Sequence, residues 1–327
     1  MATVRDIALQ ADCSIATVSL VFQGDRRISE ATANRVRSTA NRLGYKYIPK
    51  TIPAFTGSKQ RHFALVTSAL TNNPMGVYVA VIDGIADTCR ELGVRFSLHQ
   101  VKTSECMRAL SITEYDAIIY GMANAEIENA MIEGNKKPIV KVMGTPKVPW
   151  PYDHVTYNNS MVGRIVGDYF IKQGHRRVVV GAYDDVMGTE RIAGVCEAIE
   201  KNGGKVDVLL WPEGTSSKEM NKFTKDFLAR LREDKVTAIF SSADIYTVNI
   251  YQILLCQGFR PGRDIEVVSC NNESILDQLD PRPLSVDIHG RSIGRMAVRQ
   301  LLWRLENPRE PVITLQMSPS LPGIDIN

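Results

Sequence analysis

The sequence predicts an N-terminal all-α helix-turn-helix head joined to an α/β body of two doubly wound parallel-sheet lobes. Three observations carry this. Residues 4–24, VRDIALQADCSIATVSLVFQG, hold two short helical stretches with almost nothing between them. From Phe63 onward, apolar strands alternate with amphipathic helices at the period of βα units. The charge is uneven as well: residues 1–61 hold ten Lys or Arg against four Asp or Glu, about +6, whereas the rest holds 29 against 32, about −3. The expected divisions are a head at 1–46, a linker at 47–61 and a two-lobed body at 62–327.

In the head, Ile7, Ala8 and Ala11 share one helical face, which Asp12, Cys13 and Ser14 interrupt. Ser14 is placed to cap a second helix running from Ile15 to about Phe22. Two helices crossing over a tight turn form a helix-turn-helix. Ser29, with Glu30 in the first turn, starts a third helix, along which Ala33, Val36, Ala40 and Leu43 repeat at helical spacing; Gly44 is expected to end it as a left-handed cap. The stretch KYIPKTIPAFTGSKQRH has Pro49, Pro53, Gly57 and no periodicity, which marks a linker.

The body reads as a strand FALVTS, a helix VYVAVIDGIADTCREL closed by Gly93, strands VRFSLHQV and YDAIIYGM, a helix near 125–134 and a strand PIVKVMG. It continues with a helix at 160–173, the strand RVVVGAY, a helix from about 189 to 202, the strand VDVLLW and a helix at 217–232. Then come the strand TAIFSS, a helix near 246–257, the strand IEVVSC and a late helix at 290–306. Ligands of such sheets sit at the carboxyl ends of strands, so a cleft between two lobes is the natural binding place.

Composition narrows the function classes. A chain of 327 residues, 44% apolar and 23% charged, has room for two or three globular domains. Arg5 and Asp6 interrupt any leader-like start and no apolar run reaches bilayer length, so a cytoplasmic address is expected and no membrane partner. Cys13, Cys89, Cys106, Cys196, Cys256 and Cys270 lack metal-ligand spacing and read as small buried hydrophobes. His62, His99, His154, His175 and His289 are scattered, and no GxSxG, P-loop or HExxH is present, so no catalytic residue, metal or cofactor is assigned. A two-lobed transport receptor would share the body but not a basic head. A cationic segment on an acidic body suits phosphate binding.

TVRDIALQADCSIATVSLVFQG followed by ISEATANRVRSTANRLGY resembles the DNA-binding head of the lactose/galactose-repressor family, whose pattern runs T-x-x-D-I/V-A-x-x-A-G-V-S-x-x-T-V-S-R. Thr3, Asp6, Ile7, Ala8, Ala11, Ser14, Thr17, Val18 and Ser19 fit it. QGHRRVVVG, the RxxG of Arg191 to Gly194, and TAIFSSAD before IEVVSCNNE fall where that family's periplasmic-binding-protein-like body has them. The resemblance implies a dimeric transcription regulator, a repressor, binding a pseudo-palindromic double-stranded operator under control of a small effector, a sugar or sugar derivative, in the inter-lobe cleft.

The implied DNA-contacting set is Thr3, Ser14, Ile15, Ala16, Thr17, Ser19, Leu20, Gln23, Ser29 and Phe55. The hydroxyls of Ser14, Thr17 and Ser19 lie around the start of the reading helix, where phosphate oxygens are favoured. Ile15, Ala16 and Leu20 hold the places from which family members reach base edges. Arg usually stands where Leu20 does, and Arg makes the bidentate contact to guanine. Contact with thymine methyl groups is the expected readout here; Leu20 packing in the head's core is the competing reading. In the linker, Ala54 replaces the family's wedging leucine, and Pro49 and Pro53 oppose a regular hinge helix. Phe55 either acts as the wedge or packs on the body.

The implied effector contacts are Asn72, Asn73, Asn158, Arg191, Asp244 and Asn271, with turn chemistry the alternative for Asn72 and Asn73. Asn158-Asn159, Ala243-Asp244 and Asn271-Asn272 stand where the family has Asp-Asn, Asn-Asp and Asp-Asp. Losing two acidic positions while keeping Arg191 makes the cleft less negative and favours an anionic ligand, such as a sugar phosphate or sugar acid. Trp150 either stacks on a ligand or covers the crossover between lobes. A three-helix head reads only a few base pairs, so a homodimer is the minimum assembly.

Overall fold

The computed structural model describes residues 3–22, 28–43, 45, 60–68, 76–110, 114–121, 124–133, 135–146, 148–211, 217–233 and 235–324. The chain divides into two compact units, Met1–Ser58 and Lys59–Asn327.

The first unit holds α1 (Val4–Gln10), α2 (Ile15–Phe22) and α3 (Glu30–Arg42). A capping box opens α1: the Thr3 hydroxyl accepts from the Asp6 N–H, and the Asp6 carboxylate accepts from the Thr3 N–H at 2.8 Å. The turn to α2 passes through Asp12 at φ +47°, a left-handed position that Asp tolerates better than most residues. Ser14 caps α2 by accepting from the Thr17 N–H at 3.0 Å, and Ser29 caps α3 through Thr32. These caps satisfy donors that helices this short would otherwise leave unpaired. Ile7, Ala11, Val18, Val21, Val36 and Ala40 close a small core between the three helices. Gly44 and the linker residues Pro49, Pro53 and Ala54 lie outside the described residues.

The second unit begins with β1 (His62–Thr67), α4 (Gly76–Glu91), β2 (Arg95–Gln100), α5 (Ser104–Ala109), β3 (Ala117–Tyr120), α6 (Ala125–Ile132), β4 (Ile139–Val142) and β5 (Asp153–Tyr157). The second lobe follows as α7 (Asn159–Lys172), β6 (Arg177–Ala182), α8 (Val186–Lys201), β7 (Lys205–Leu210), α9 (Ser217–Glu233), β8 (Ala238–Ser241), α10 (Asp244–Cys256), β9 (Glu266–Cys270) and β10 (Leu284–Val286). The chain then returns to the first lobe as α11 (Gly290–Glu306) and β11 (Thr314–Met317). The sheets run β11-β5-β4-β3-β1-β2 and β10-β9-β8-β6-β7, with every described strand pair parallel. In each lobe the order reverses beside the first strand, at β1/β3 and at β6/β8, which opens a crevice at the strand carboxyl ends.

Helices cover both faces of each sheet. On one face of each lobe, paired helices cross in contact at glycines: α4 with α11, and α7 with α8. A Cβ on Gly163 would lie 2.0 Å from the Arg191 carbonyl oxygen, and one on Gly194 would lie 2.3 Å from that of Ser160. Gly84 and Gly294 meet Arg291 and Val81 in the same way. The close approach requires the missing side chain in both pairs.

Several elements escaped the sequence pattern. The helix α5, the strands β5, β10 and β11, and a 3-10 turn at Ser274–Gln278 were not expected. All are short, and β5 carries Asp153 and His154, which break its apolar run. Both are nevertheless buried. The cysteine expectation is also corrected: Cys89 and Cys270 are buried, but Cys106 and Cys256 are exposed on the water-facing sides of α5 and α10. Trp150 stacks on Tyr120 at 5.4 Å, next to the buried Lys141–Glu128 ion pair, and is therefore part of the first lobe's own packing. Among the described residues, no helix is long and apolar enough to cross a membrane.

Asp153 ties the end of the chain to the sheet. Its carboxylate accepts from Arg304 Nε at 2.9 Å and Nη2 at 2.7 Å, from Gln300 at 2.8 Å and from the Ile313 N–H at 2.9 Å. Burial pushes its pKa up, but the bonds from Arg304, Gln300 and Ile313 outweigh this and hold it below the usual carboxylate range. Asp153→Ala leaves Arg304 without its partner at a site 12% exposed. The expected loss of stability in urea unfolding is about 3–5 kcal/mol; a loss below about 1 kcal/mol, the range of a surface pair, contradicts the structural role.

Candidate functional site

Two sites follow from this framework, one in each unit. In the head, Val18 and Val21 turn into the core, which leaves the opposite side of α2 to solvent. Ile15 is 47% exposed there, with Ser14 and Ala16 also exposed and Thr17, Ser19 and Leu20 half-buried. Leu20 is not part of the head's core cluster. Thr3, Ser14 and Ser29 all serve as caps at helix starts, and the Ser14 and Thr17 hydroxyls are 2.8 Å apart. The Thr3 hydroxyl donates to the Asp6 carboxylate at 2.8 Å, whereas the Ser14–Thr17 and Ser29–Thr32 hydroxyl pairs each spend one hydrogen between themselves and keep one that can donate to an anion. Gln23 and Phe55 lie outside the described residues.

In the body, a cavity of about 230 Å³ opens between the lobes, at the strand reversal of the second sheet. Val77, Met143 and Tyr157 line it from the first lobe; Tyr183, Asp185, Arg191, Ser242 and Asn271 line it from the second. Arg191 is 5% exposed. Its Nε donates to Asn159 Oδ1 at 2.9 Å, one Nη2 hydrogen goes to the Tyr157 hydroxyl at 2.8 Å, and Nη1 donates to the Ser242 carbonyl oxygen. Burial pulls its pKa down, but the neighbouring Cys270, Tyr157 and Asp185 outweigh this, so the guanidinium stays charged. Asp185 caps α8 by accepting from the Gly188 N–H at 2.7 Å, which starts that helix at Val186 rather than 189.

The other expected contacts divide. Asn271 lines the cavity at φ +112° and donates to Glu273 at 3.1 Å. Asn158 is the N-cap of α7, accepting from Met161, and its neighbour Asn159 is the one that holds Arg191. Asp244 turns away into the second lobe, where its carboxylate accepts from Ser285 Oγ at 2.8 Å, the Glu273 N–H at 2.6 Å and Ser269 Oγ. It is fully buried and absent from the cavity wall. Asn72 and Asn73 lie outside the described residues. Sequence reasoning missed Tyr157, Tyr183 and Ser242. It also missed an aromatic stack behind Tyr183, in which Trp211 lies between Phe223 at 4.2 Å and Tyr246 at 4.3 Å. Tyr183 and Ser242 directly follow strands β6 and β8, which was the available signal, whereas Tyr157 ends the unexpected β5.

Burial raises the Asp244 carboxyl from 3.8 to about 6, against the pull of its hydrogen bonds. A carboxyl whose pKa is higher folded than unfolded binds its proton first in the folded state. Its contribution to stability is therefore full below the unfolded pKa near 3.8 and is lost as pH rises through about 6. The stability of the natural chain relative to Asp244→Asn should rise as pH falls from 7 to 4, measured by urea unfolding at each pH. Parallel curves over that window contradict this assignment.

Comparison with known proteins bears on both units. Residues 3–47 match the family model of bacterial regulatory proteins, lacI family, and residues 167–322 match a periplasmic binding protein-like domain. The chain is 24% identical over 334 residues to a protein of Vibrio atlanticus (strain LGP32) named HTH-type transcriptional repressor PurR, covering 98% of this chain and 97% of that one. It is 23% identical over 332 residues to the ribose operon repressor of Haemophilus influenzae, with the same coverage of 98% and 97%. Among solved structures, a transcriptional regulator CelR–cellobiose complex aligns with a TM-score of 0.68 at 24% identity over 98% of each chain. A lac repressor dimer bound to operator and the anti-inducer ONPF aligns at 0.66 and 17% identity, covering 98% of this chain and 97% of that one. At these identities the structural likeness shows the fold. The chain thus carries a head of the lacI family of bacterial regulatory proteins and, after it, a periplasmic binding protein-like domain.

Proposed function

We propose that this chain is a sequence-specific transcription regulator of the cytoplasm. It binds double-stranded operator DNA as a homodimer, one head per half-site, and a small anionic effector in the inter-lobe cleft changes its DNA affinity. The carrying observation is the outward side of α2. Ser14 and Thr17 put hydroxyls at the helix start, where they and the helix dipole suit phosphate, and Ile15 and Ala16 stand exposed beside them. Leu20 lies outside the head's core, which supports its role in contacting bases. With no donor on Ile15, Ala16 or Leu20, these positions favour thymine methyl groups over guanine. A two-lobed transport receptor gives such a surface no task.

The anionic character of the effector rests on Arg191, a buried cation lining the cavity, together with amides at Asn159 and Asn271. Effector contacts through Asn72 and Asn73, and the hinge wedge through Phe55, remain part of this proposal.

Selecting bound duplexes from a random pool tests the reading. The expected product is a pseudo-palindrome whose binding weakens steeply as salt rises. No salt-sensitive binding to any duplex overturns it. In a second selection, Leu20→Arg should create a guanine preference at one symmetric pair of positions, on the order of 1–3 kcal/mol. Unchanged base preference removes Leu20 from the reading surface.

A further inference from the structure

Ser242 is 2% exposed, lines the inter-lobe cavity, and has a hydroxyl with no hydrogen-bond partner among the described residues. A buried hydroxyl without a partner costs free energy, and such groups in native sites usually await a ligand or a water. Its own carbonyl oxygen receives Arg191 Nη1, so the hydroxyl stands on the residue that the guanidinium touches. Arg191 forms three hydrogen bonds with Asn159, Ser242 and Tyr157. A guanidinium carries five N–H donors, so two are left. No carboxylate of the described residues is ion-paired with it.

Among the described residues, the rest of the wall is chiefly carbon: Val77, Met143, Met187 and Ala243, with the rings of Tyr157 and Tyr183. Each polar group among them already makes at least one bond, which leaves the Tyr183 O–H, the Asn271 Oδ1 and the second Asp185 oxygen beside Arg191 and Ser242. The Tyr157 hydroxyl accepts from Arg191 and donates toward Met187, the Tyr183 hydroxyl accepts from Tyr246, Asp185 holds Gly188, and the Asn271 amide donates to Glu273. A polyhydroxylated sugar placed there would turn the hydroxyls that those few groups do not reach against carbon, and each one left unmatched weakens binding. A phosphate dianion would bring two negative charges to a wall that offers one cation, Arg191, and already carries the carboxylate of Asp185. The volume, about 230 Å³, suits a compound of modest size.

We infer that the effector is a small monocarboxylic acid with a largely apolar body, its carboxylate held jointly by Arg191 and the Ser242 hydroxyl. The inference rests on reading the cleft as the effector site, and it narrows the ligand class further than the charge of the cleft does. The carboxylate accepts from the two remaining guanidinium hydrogens and from Ser242 Oγ. The apolar body lies between the methionines of the two lobes and the tyrosine rings.

Calorimetric titration of the full-length chain with isovalerate, benzoate, phenylacetate, gluconate, glucose and glucose 6-phosphate tests it without involving DNA. Saturable binding of at least one of the first three, tighter than gluconate or either glucose compound, is expected. Ser242→Ala should weaken that binding about tenfold, the effect of one hydrogen bond to a charged group. The melting temperature of the ligand-free variant should hold or rise, because the hydroxyl has no partner to lose. Preference for glucose, glucose 6-phosphate or gluconate, no binding by any of the apolar acids at millimolar concentration, or unchanged affinity in Ser242→Ala overturns the inference. Acid binding that leaves operator affinity unaffected supports the ligand class and instead contradicts the regulatory role of the cleft.

Discussion

A guanidinium buried without a carboxylate partner among the described residues is the constraint around which the body is arranged. Taking such a charge out of water costs several kcal/mol unless acceptors surround it. Arg191 finds them on three separate segments: Tyr157 at the end of β5, Asn159 at the start of α7 and the Ser242 carbonyl at the end of β8. Tyr157 and Asn159 flank the point where the chain passes from one lobe to the other. The side chain that lines the cavity is thus the same one that pins this crossover to the second sheet.

Arg191 reaches that position because α8 lies unusually close to α7. Gly163 meets the Arg191 carbonyl and Gly194 meets that of Ser160, so either glycine enlarged by one carbon would force the helices apart. The R-x-x-G spacing is therefore a mechanical unit: the arginine carries the charge and the glycine, one turn on, brings its backbone into place. Capping adds to this, since Asp185 starts α8 and lines the cavity. The head depends on similar local devices at smaller scale, with Thr3, Ser14 and Ser29 supplying the hydrogen bonds that its short helices lack.

Legibility in the sequence followed the strength of the local signal. The turn at Asp12, the caps at Ser14 and Ser29 and the βα alternation were readable, because each leaves a pattern within a few residues. Strand β5 was not, since Asp153 and His154 look like loop residues until Arg304, about 150 positions later, and the Met143 carbonyl satisfy them. The cleft was legible at Arg191 and Asn271 and misleading at Asp244, whose partners Ser269 and Ser285 sit on two other strands. Asn158 and Asn159 differ only in which way they face, cap or cation, and that choice is made by the chain's entry into α7. Ser242 carries no motif at all: its distinction is a hydroxyl left without a partner, visible only when every neighbour is in place.

The most direct measurement of this account is hydrogen–deuterium exchange of the ligand-free protein with Arg191 replaced by Met, which keeps comparable bulk but removes the donors. If the guanidinium joins the crossover to the second sheet, amides at 158–162 and 242–247 should both exchange faster than in the natural chain, while those of β1 and β3 keep their rates. Unaltered protection in both segments would show that the lobes are held by packing alone and would contradict the central place given to this charge.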